Sequence, residues 1–173
     1  MKYLSFIVLV LISSFAAYSQ RGDYMSREEQ DVVRNNQDVD ARIAVLTYMI
    51  DRRLIAMGFA VKANKPAIDP EDDWGPEPKG TKSELLTDIR HLLEKAIDDI
   101  DNLSGHLPEK AKEERKGVNL FNKAVKSLDA SAKRWLPILK KEFENANDEQ
   151  TNAATATAID FCEQIIDAAS KLK

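Results

Sequence analysis

Cysteine and histidine are scarce in this 173-residue chain, and each scarcity excludes a class of protein. Cys162 is the single cysteine, so no disulfide can form within the chain and a packed core has to stabilise the fold. The two histidines, His91 and His106, belong to no Cys-x-x-Cys-His run, which excludes covalent haem attachment. The formal net charge of −4 argues against nucleic acid as a partner.

The N-terminal residues 1–19 have the pattern of a secretory signal peptide. Lys2 supplies a positive charge, residues 3–12 are almost wholly apolar, and small residues at Ala17 and Ser19 suit signal peptidase. The apolar run is shorter than the roughly 18 residues of a membrane-spanning helix, although an uncleaved anchor is the alternative. We therefore predict cleavage after Ser19, a secreted or periplasmic protein, and no transmembrane segment after cleavage.

Apolar residues recur at helical spacing through the rest of the chain, and no segment alternates as a strand would. After a flexible tail at 20–25, we predict one domain over residues 26–173. The predicted helices are 26–57, 81–104, 108–145 and 148–172. Ser26 with Glu29, and Thr81 with Glu84, have the spacing of capping boxes at the first two helix starts. Pro137 interrupts the third helix, but the apolar pattern continues across it, which favours one kinked helix.

The fold class predicted from this pattern is all-α, an up-and-down four-helix bundle. Four of the six prolines lie in the 61–80 segment, so a long Pro-rich loop is predicted between helices 1 and 2. Asn36 falls on the apolar face of the first helix. Its polar side chain either fixes the register in which the helices pack, or it lies at a helix end that extends beyond the shorter helices into solvent. We favour the second interpretation.

Trp74 lies in the middle of the Pro-rich loop, directly after Asp72 and Asp73. A tryptophan in such a loop either anchors it to the bundle or contacts a partner, and we take Trp74, Asp72 and Asp73 as candidate partner-binding residues. The acidic residues alternate like the start of a calcium loop, but Trp74 replaces its glycine and Gly80 replaces its glutamate. No calcium site is predicted.

The third helix carries a basic outer stripe, from which we take Lys126, Lys133 and Arg134 as further candidates for binding an acidic partner. The alternative is a solvated surface without a partner.

Catalytic and metal-binding patterns are absent from the sequence. A di-iron bundle needs inward Glu residues and two Glu-x-x-His pairs, and the nearest match is Asp88-x-x-His91 on the predicted solvent face. Cys162 lies at the edge of the fourth apolar stripe, so it is either a small buried side chain or a thiol that links two chains. We predict no cofactor.

The sequence therefore predicts a secreted or periplasmic, non-enzymatic helical-bundle protein that binds a protein or envelope partner. The alternative is a bundle that carries a small ligand such as haem, a metal or a lipid between its helices.

Overall fold

The computed structural model describes residues 23–69, 72–106 and 115–172, without the side chains of residues 105, 106, 115 and 116. The predicted signal peptide at 1–19 lies outside these residues. Within them the protein is all-α, with five helices and no strand. The helices are α1 (Arg27–Asn35), α2 (Val39–Ala56), α3 (Lys82–His106), α4 (Arg115–Asn145) and α5 (Glu149–Lys171).

The prediction of one continuous helix over 26–57 is wrong, because the chain breaks between α1 and α2. The Asn36 side chain donates to the Val32 carbonyl at 2.7 Å, and the Asn36 carbonyl accepts from Arg42 Nε at 3.1 Å. Asn36 thus ends α1. It neither fixes the register between packed helices nor extends a continuous helix beyond the bundle. Its competing hydrogen bonds to the backbone are the reason, since asparagine offers the chain an alternative to the helix.

The structure confirms both predicted capping boxes and the continuity of the third predicted helix through Pro137. Glu29 N–H donates to the Ser26 hydroxyl and Ser26 N–H donates to the Glu29 carboxylate, both at 3.1 Å. The Thr81–Glu84 box is also present, at 2.7 and 3.3 Å. Pro137 lies inside α4, so this region is one helix.

The helices lie side by side in a packing compatible with a helical bundle. Both α2 and α5 pack along α3 and α4, whereas α2 and α5 do not approach each other in the described residues. The directions of the helices follow from ion pairs. These are Arg42–Asp99 and Arg53–Asp88 between α2 and α3, and Asp40–Lys123 and Asp51–Arg134 between α2 and α4. The first set makes α2 and α3 antiparallel, and the second makes α2 and α4 parallel. Because α2 and α5 each pack along both α3 and α4, the consecutive helices α3 and α4 lie diagonally opposite each other.

The two ends of these four helices differ in packing. We call the end around residues 49–56, 85–93 and 132–142 the closed end, and the end around 97–104, 117–128 and 164–172 the open end. At the closed end Leu86 and Ile89 of α3 are at most 1% exposed. Farther along the same helix, Ile97 and Ile100 are half-buried.

Candidate binding site

Trp74 packs onto the protein. Its side chain is 7% exposed, and its ring meets the Tyr48 ring edge-on, with centroids 4.6 Å apart. The Arg52 guanidinium carbon lies 6.0 Å from the Trp74 ring centroid. Of the two roles considered for Trp74, these contacts fit an anchor that fastens the 72–76 segment to α2.

Arg52 holds the same segment through backbone carbonyls. Its guanidinium donates to the carbonyls of Trp74 at 2.7 Å and Pro76 at 2.6 Å, and also to the Glu29 carboxylate at 2.8 Å. Gly75 has a φ of 63°, and a Cβ there would lie 2.9 Å from Glu28 Oε2. The left-handed backbone therefore favours glycine at this position, and a Cβ would also displace the Glu28 side chain.

The two aspartates before Trp74 also bond within the protein. Asp72 Oδ1 accepts from the Asn35 side chain at 2.7 Å, which ties the loop to the end of α1. Asp73 Oδ1 accepts from Gly75 N–H at 3.2 Å and supports the local turn. Asp73 remains exposed and Asp72 is half-buried.

A buried charge cluster lies beneath this loop. Glu29 and Arg53 are each 2% exposed and form a bidentate pair, at 2.8 and 2.7 Å. Arg53 Nε lies 3.5 Å from the carboxylate of Asp88, which is 5% exposed. With Arg52, the cluster contains two positive and two negative side chains, so its charges balance. Such a cluster stabilises a fold no more than apolar side chains of similar volume would. Removing one member, however, leaves a buried charge without its partner and lowers the stability strongly.

The cluster also reaches the N-terminal segment, where a flexible tail was predicted for residues 20–25. Arg53 donates to the Tyr24 carbonyl at 2.6 Å, and the Tyr24 ring lies 5.2 Å from the His91 ring. Burial, and then the charge of Asp23, raises the pKa of Tyr24. The described part of this segment, residues 23–25, is thus packed onto the helices.

Asp51 and Arg134 form a second internal tether. Asp51 is 1% exposed and accepts from Trp135 Nε1 at 2.7 Å and from Arg134 at 3.2 Å. Burial raises the pKa of Asp51, although the bonds from Trp135 and Arg134 oppose that rise. Arg134 also donates to the Lys62 carbonyl, so this candidate partner-binding residue fastens the start of the loop to α4.

The other two basic candidates lie on the outer surface of α4. Lys126 is exposed, and Lys133 forms an i,i+4 pair with Asp129 at 2.7 Å. Trp74 contacts α2, and Asp72 bonds to the end of α1. The structure thus does not bring the acidic loop and the basic stripe into one site.

The prediction that Asp88 and His91 form a pair on the solvent face is wrong for Asp88, which is buried against Arg53. The half-buried His91 pairs instead with Glu94, at 3.5 Å. The sequence missed this because the charged partners of Asp88 come from α1 and α2, which are distant in sequence. Among the residues that the structure describes, no three His, Cys, Asp or Glu side chains are grouped as metal ligands.

Cys162 lies in the core with no exposed surface. Burial, and then the nearby charge of Glu163, raises the pKa of its thiol to about 12. A disulfide to a second chain would require the helices to separate, so nothing here supports the predicted link through Cys162.

An apolar cleft opens at the open end, between α3 and α5, with α4 as its floor. Its volume is about 270 Å³. The buried floor consists of Val125, Leu128 and Ile165. Ile97, Ile100, Phe121, Ala168 and Leu172 form the more exposed walls, and Asp101, Ser104 and Gln164 provide the polar edge. Among these wall residues, Leu172 is 48% exposed.

The bundle predicted from the sequence did not include this cleft, because periodicity shows which face of a helix is apolar but not whether a neighbouring helix covers that face. One signal was available. Residues 98–102 of α3 read Asp-Asp-Ile-Asp-Asn, so a single isoleucine stands among polar residues. The apolar stripe is therefore thinner here than earlier in the helix.

Comparison with known proteins finds no family model, curated protein or solved structure that matches this chain. In the described part of the chain, no helix combines the length and apolar character needed to cross a bilayer.

Proposed function

We propose that this chain is a secreted or periplasmic, non-enzymatic binding protein whose partner docks in the apolar cleft of the open end. In this proposal α2–α5 form the four-helix bundle, and the Pro-rich 61–80 segment is a structural strap. The exposed apolar lining of the cleft is the observation that carries the proposal.

The internal use of charged side chains supports a role without catalysis. Glu29, Arg53 and Asp51 are each at most 2% exposed and bond to one another or to neighbouring helices. A catalytic acid or base has to reach a substrate within hydrogen-bond distance. These groups instead join α2 to α1, α3 and α4, so these buried polar interactions serve the fold.

The cleft has the properties of a docking site. Its floor is buried and apolar, its walls are partly exposed, and its polar groups lie at the edge. Protein interfaces have the same arrangement, with an apolar centre and a polar rim. Side chains such as Leu172 and Phe121 lose exposed apolar surface when a partner covers them, which favours binding.

A small-ligand carrier is the second candidate, because the same apolar floor would accept an acyl chain. The volume of 270 Å³ lies just below the usual range for small-molecule sites, about 300–1,000 Å³. Native mass spectrometry of the purified protein separates the two candidates. A mass equal to the denatured mass supports the protein-binding proposal, and a retained lipid would favour the carrier.

Site-specific photo-crosslinking tests where the partner docks. A photoreactive residue is placed at Leu172 in one variant and at Phe143 in another, and each is expressed with its leader in exporting cells. Phe143 is the matched control, since it is 44% exposed and lies on α4 away from the cleft lining. We expect a discrete adduct from position 172 that is missing from position 143.

Two further results make the crosslinking decisive. The adduct at position 172 should disappear when Ile100→Asp adds a charge to the cleft wall while circular dichroism shows an unchanged helix content. Identical adduct patterns at positions 172 and 143, or an adduct that survives Ile100→Asp, would contradict docking in the cleft.

A further inference from the structure

We infer that the leader of this chain is removed before the closed end folds, because the folded protein makes the cleavage site inaccessible to signal peptidase. The contacts of residues 23–26, which we call the N-terminal clasp, carry this inference. It rests on one part of the proposed function, the cleaved secretory leader, and it is independent of what docks in the cleft.

The predicted cleavage site is close in sequence to a fixed part of the protein. Hydrolysis of the bond between Ser19 and Gln20 consumes a water molecule and leaves a carboxylate on Ser19 and a new α-amino group on Gln20. Three residues, 20–22, separate that bond from Asp23, where the described part of the chain begins. Three residues span at most about 10–11 Å. The catalytic groups of the peptidase therefore have to come within that distance of the N-terminal clasp.

Each residue of the N-terminal clasp contacts the helices. Asp23 accepts a hydrogen bond from a side chain of α1 at 2.6 Å, and Ser26 caps the start of the same helix. The Tyr24 carbonyl accepts from Arg53 of α2 at 2.6 Å. Both Tyr24 and Met25 pack against the apolar core. Since Arg53 is buried, the clasp cannot leave the helices without breaking a hydrogen bond to a buried charge.

Two other elements line shallow cavities together with the N-terminal clasp. One cavity, of about 300 Å³, is lined by the clasp and by residues 76–79 of the strap. The second, of about 310 Å³, is lined by Tyr24 and by α3 residues that include His91 and Glu94. A peptidase binds its substrate as an extended segment on both sides of the bond that it cuts. The strap and α3 therefore restrict the space in which the enzyme can hold the residues after Gln20.

Proteolysis of a folded chain depends on how often the segment around the bond opens. When opening and closing are fast, the cleavage rate follows the population of the open form. The contacts of the N-terminal clasp lower that population, and they exist only when α1, α2 and α3 are in place. Cleavage of the unfolded precursor therefore comes first, and the clasp closes onto the helices afterwards.

Cleavage of the full precursor, residues 1–173, by purified signal peptidase in detergent micelles tests this order. The natural precursor is compared with Leu46→Asp/Ile50→Asp, which places two charges in the core and should remain unfolded. Circular dichroism verifies both states, and mass spectrometry follows the loss of residues 1–19 over time. We expect the folded precursor to be cleaved at least about tenfold more slowly than the unfolded variant.

An insertion between Gly22 and Asp23 distinguishes the effect of the clasp from other effects of folding. About six Gly and Ser residues move the bond up to about 20 Å farther from the clasp and leave its contacts unchanged. We expect this folded variant to be cleaved as fast as the unfolded one. The matched control carries the same insertion between the exposed Lys79 and Gly80, and it should be cleaved as slowly as the natural precursor.

The outcomes separate this inference from the proposed function. If the folded precursor and the unfolded variant lose the leader at the same rate, the inference is wrong and the secreted assignment stands. Equal cleavage rates for the two insertion variants would also overturn the inference, because the position of the bond relative to the clasp would then have no effect. If no precursor is cleaved, the leader is an uncleaved anchor, and the secreted assignment fails together with the inference.

Discussion

The closed and open ends of the same four helices use their apolar residues differently. At the closed end, Leu86, Ile89 and Trp135 are at most 1% exposed, and the buried ion pairs of Arg53 and Asp51 join neighbouring segments there. At the open end, side chains of the same apolar stripes line a cleft. The comparison indicates that the buried ion pairs lie at one end of the helices, whereas an apolar cleft opens at the other.

The largest expected effect comes from breaking the buried cluster. Arg53→Met removes the bidentate partner of the buried Glu29 carboxylate and an ion-pair partner of the buried Asp88, so we expect a loss of about 3–5 kcal/mol in the free energy of unfolding. Urea titration followed by circular dichroism measures it.

The control for this change is Arg34→Met. Arg34 pairs with Asp31 at 2.6 Å but is 70% exposed, so its loss should cost at most about 1 kcal/mol. Equal costs for Arg53→Met and Arg34→Met would show that the closed end does not depend on its buried charges.

Two matched side-chain truncations on α3 compare the packing of the two ends directly. Ile89 and Ile100 are the same residue type on the same helix face, but Ile89 is 1% exposed and Ile100 is half-buried. Ile89→Ala should cost about 2–5 kcal/mol, and Ile100→Ala less than half as much, because less contact area is lost. Thermal melts of both variants measure the difference, and similar costs would mean that the open end is packed as tightly as the closed end.

Asp51 makes the stability of the closed end depend on pH. A carboxyl group whose pKa is raised on folding confers stability that is complete below its ordinary pKa of 3.8 and is lost as pH rises through the raised value. Asp51→Asn keeps an acceptor for Trp135 and does not titrate. We expect a change of about 1 kcal/mol, with the variant gaining relative to the natural chain as pH rises from about 3 to about 7.

Urea titrations at both pH values check the Asp51 prediction. A difference between the two proteins that stays constant with pH would show that Asp51 does not set the pH dependence of stability.

The smallest effect is expected on the outer surface of α4, away from the cleft lining. Lys126 is exposed on the outer surface of α4, so Lys126→Asp should change the free energy of unfolding by less than about 0.5 kcal/mol. A larger loss in a urea titration would show that the basic stripe has a structural role. If the variant also lost binding to an acidic partner, the original prediction for Lys126 would be favoured over docking in the cleft.

How far the fold could be predicted depended on whether the determining contacts were local. The capping residues Ser26 and Thr81 and the continuity of α4 through Pro137 follow from neighbours within a few residues, and the structure confirms them. The break at Asn36 was missed, because its hydrogen bonds to Val32 and Arg42 compete with a strong apolar pattern that continues on both sides.

The buried charges could not be predicted for a different reason. The run Asp51–Arg53 lies inside the first predicted helix, and its charged partners are 23 or more positions away in sequence. The candidate residues of the loop were chosen for their residue types, which do not reveal whether a side chain turns inward as Trp74 does. The cleft could not be predicted for a similar reason, since no sequence pattern in α3 or α5 gives the distance between these two helices.

The diagonal placement of α3 and α4 has a consequence for the order of folding. These consecutive helices cannot form a simple hairpin, whereas α4 and α5 are neighbours joined by residues 146–148. Contacts between nearby segments cost less loop entropy and tend to form early. We therefore expect the C-terminal hairpin of α4 and α5 to assemble first and α2 to pack onto it later.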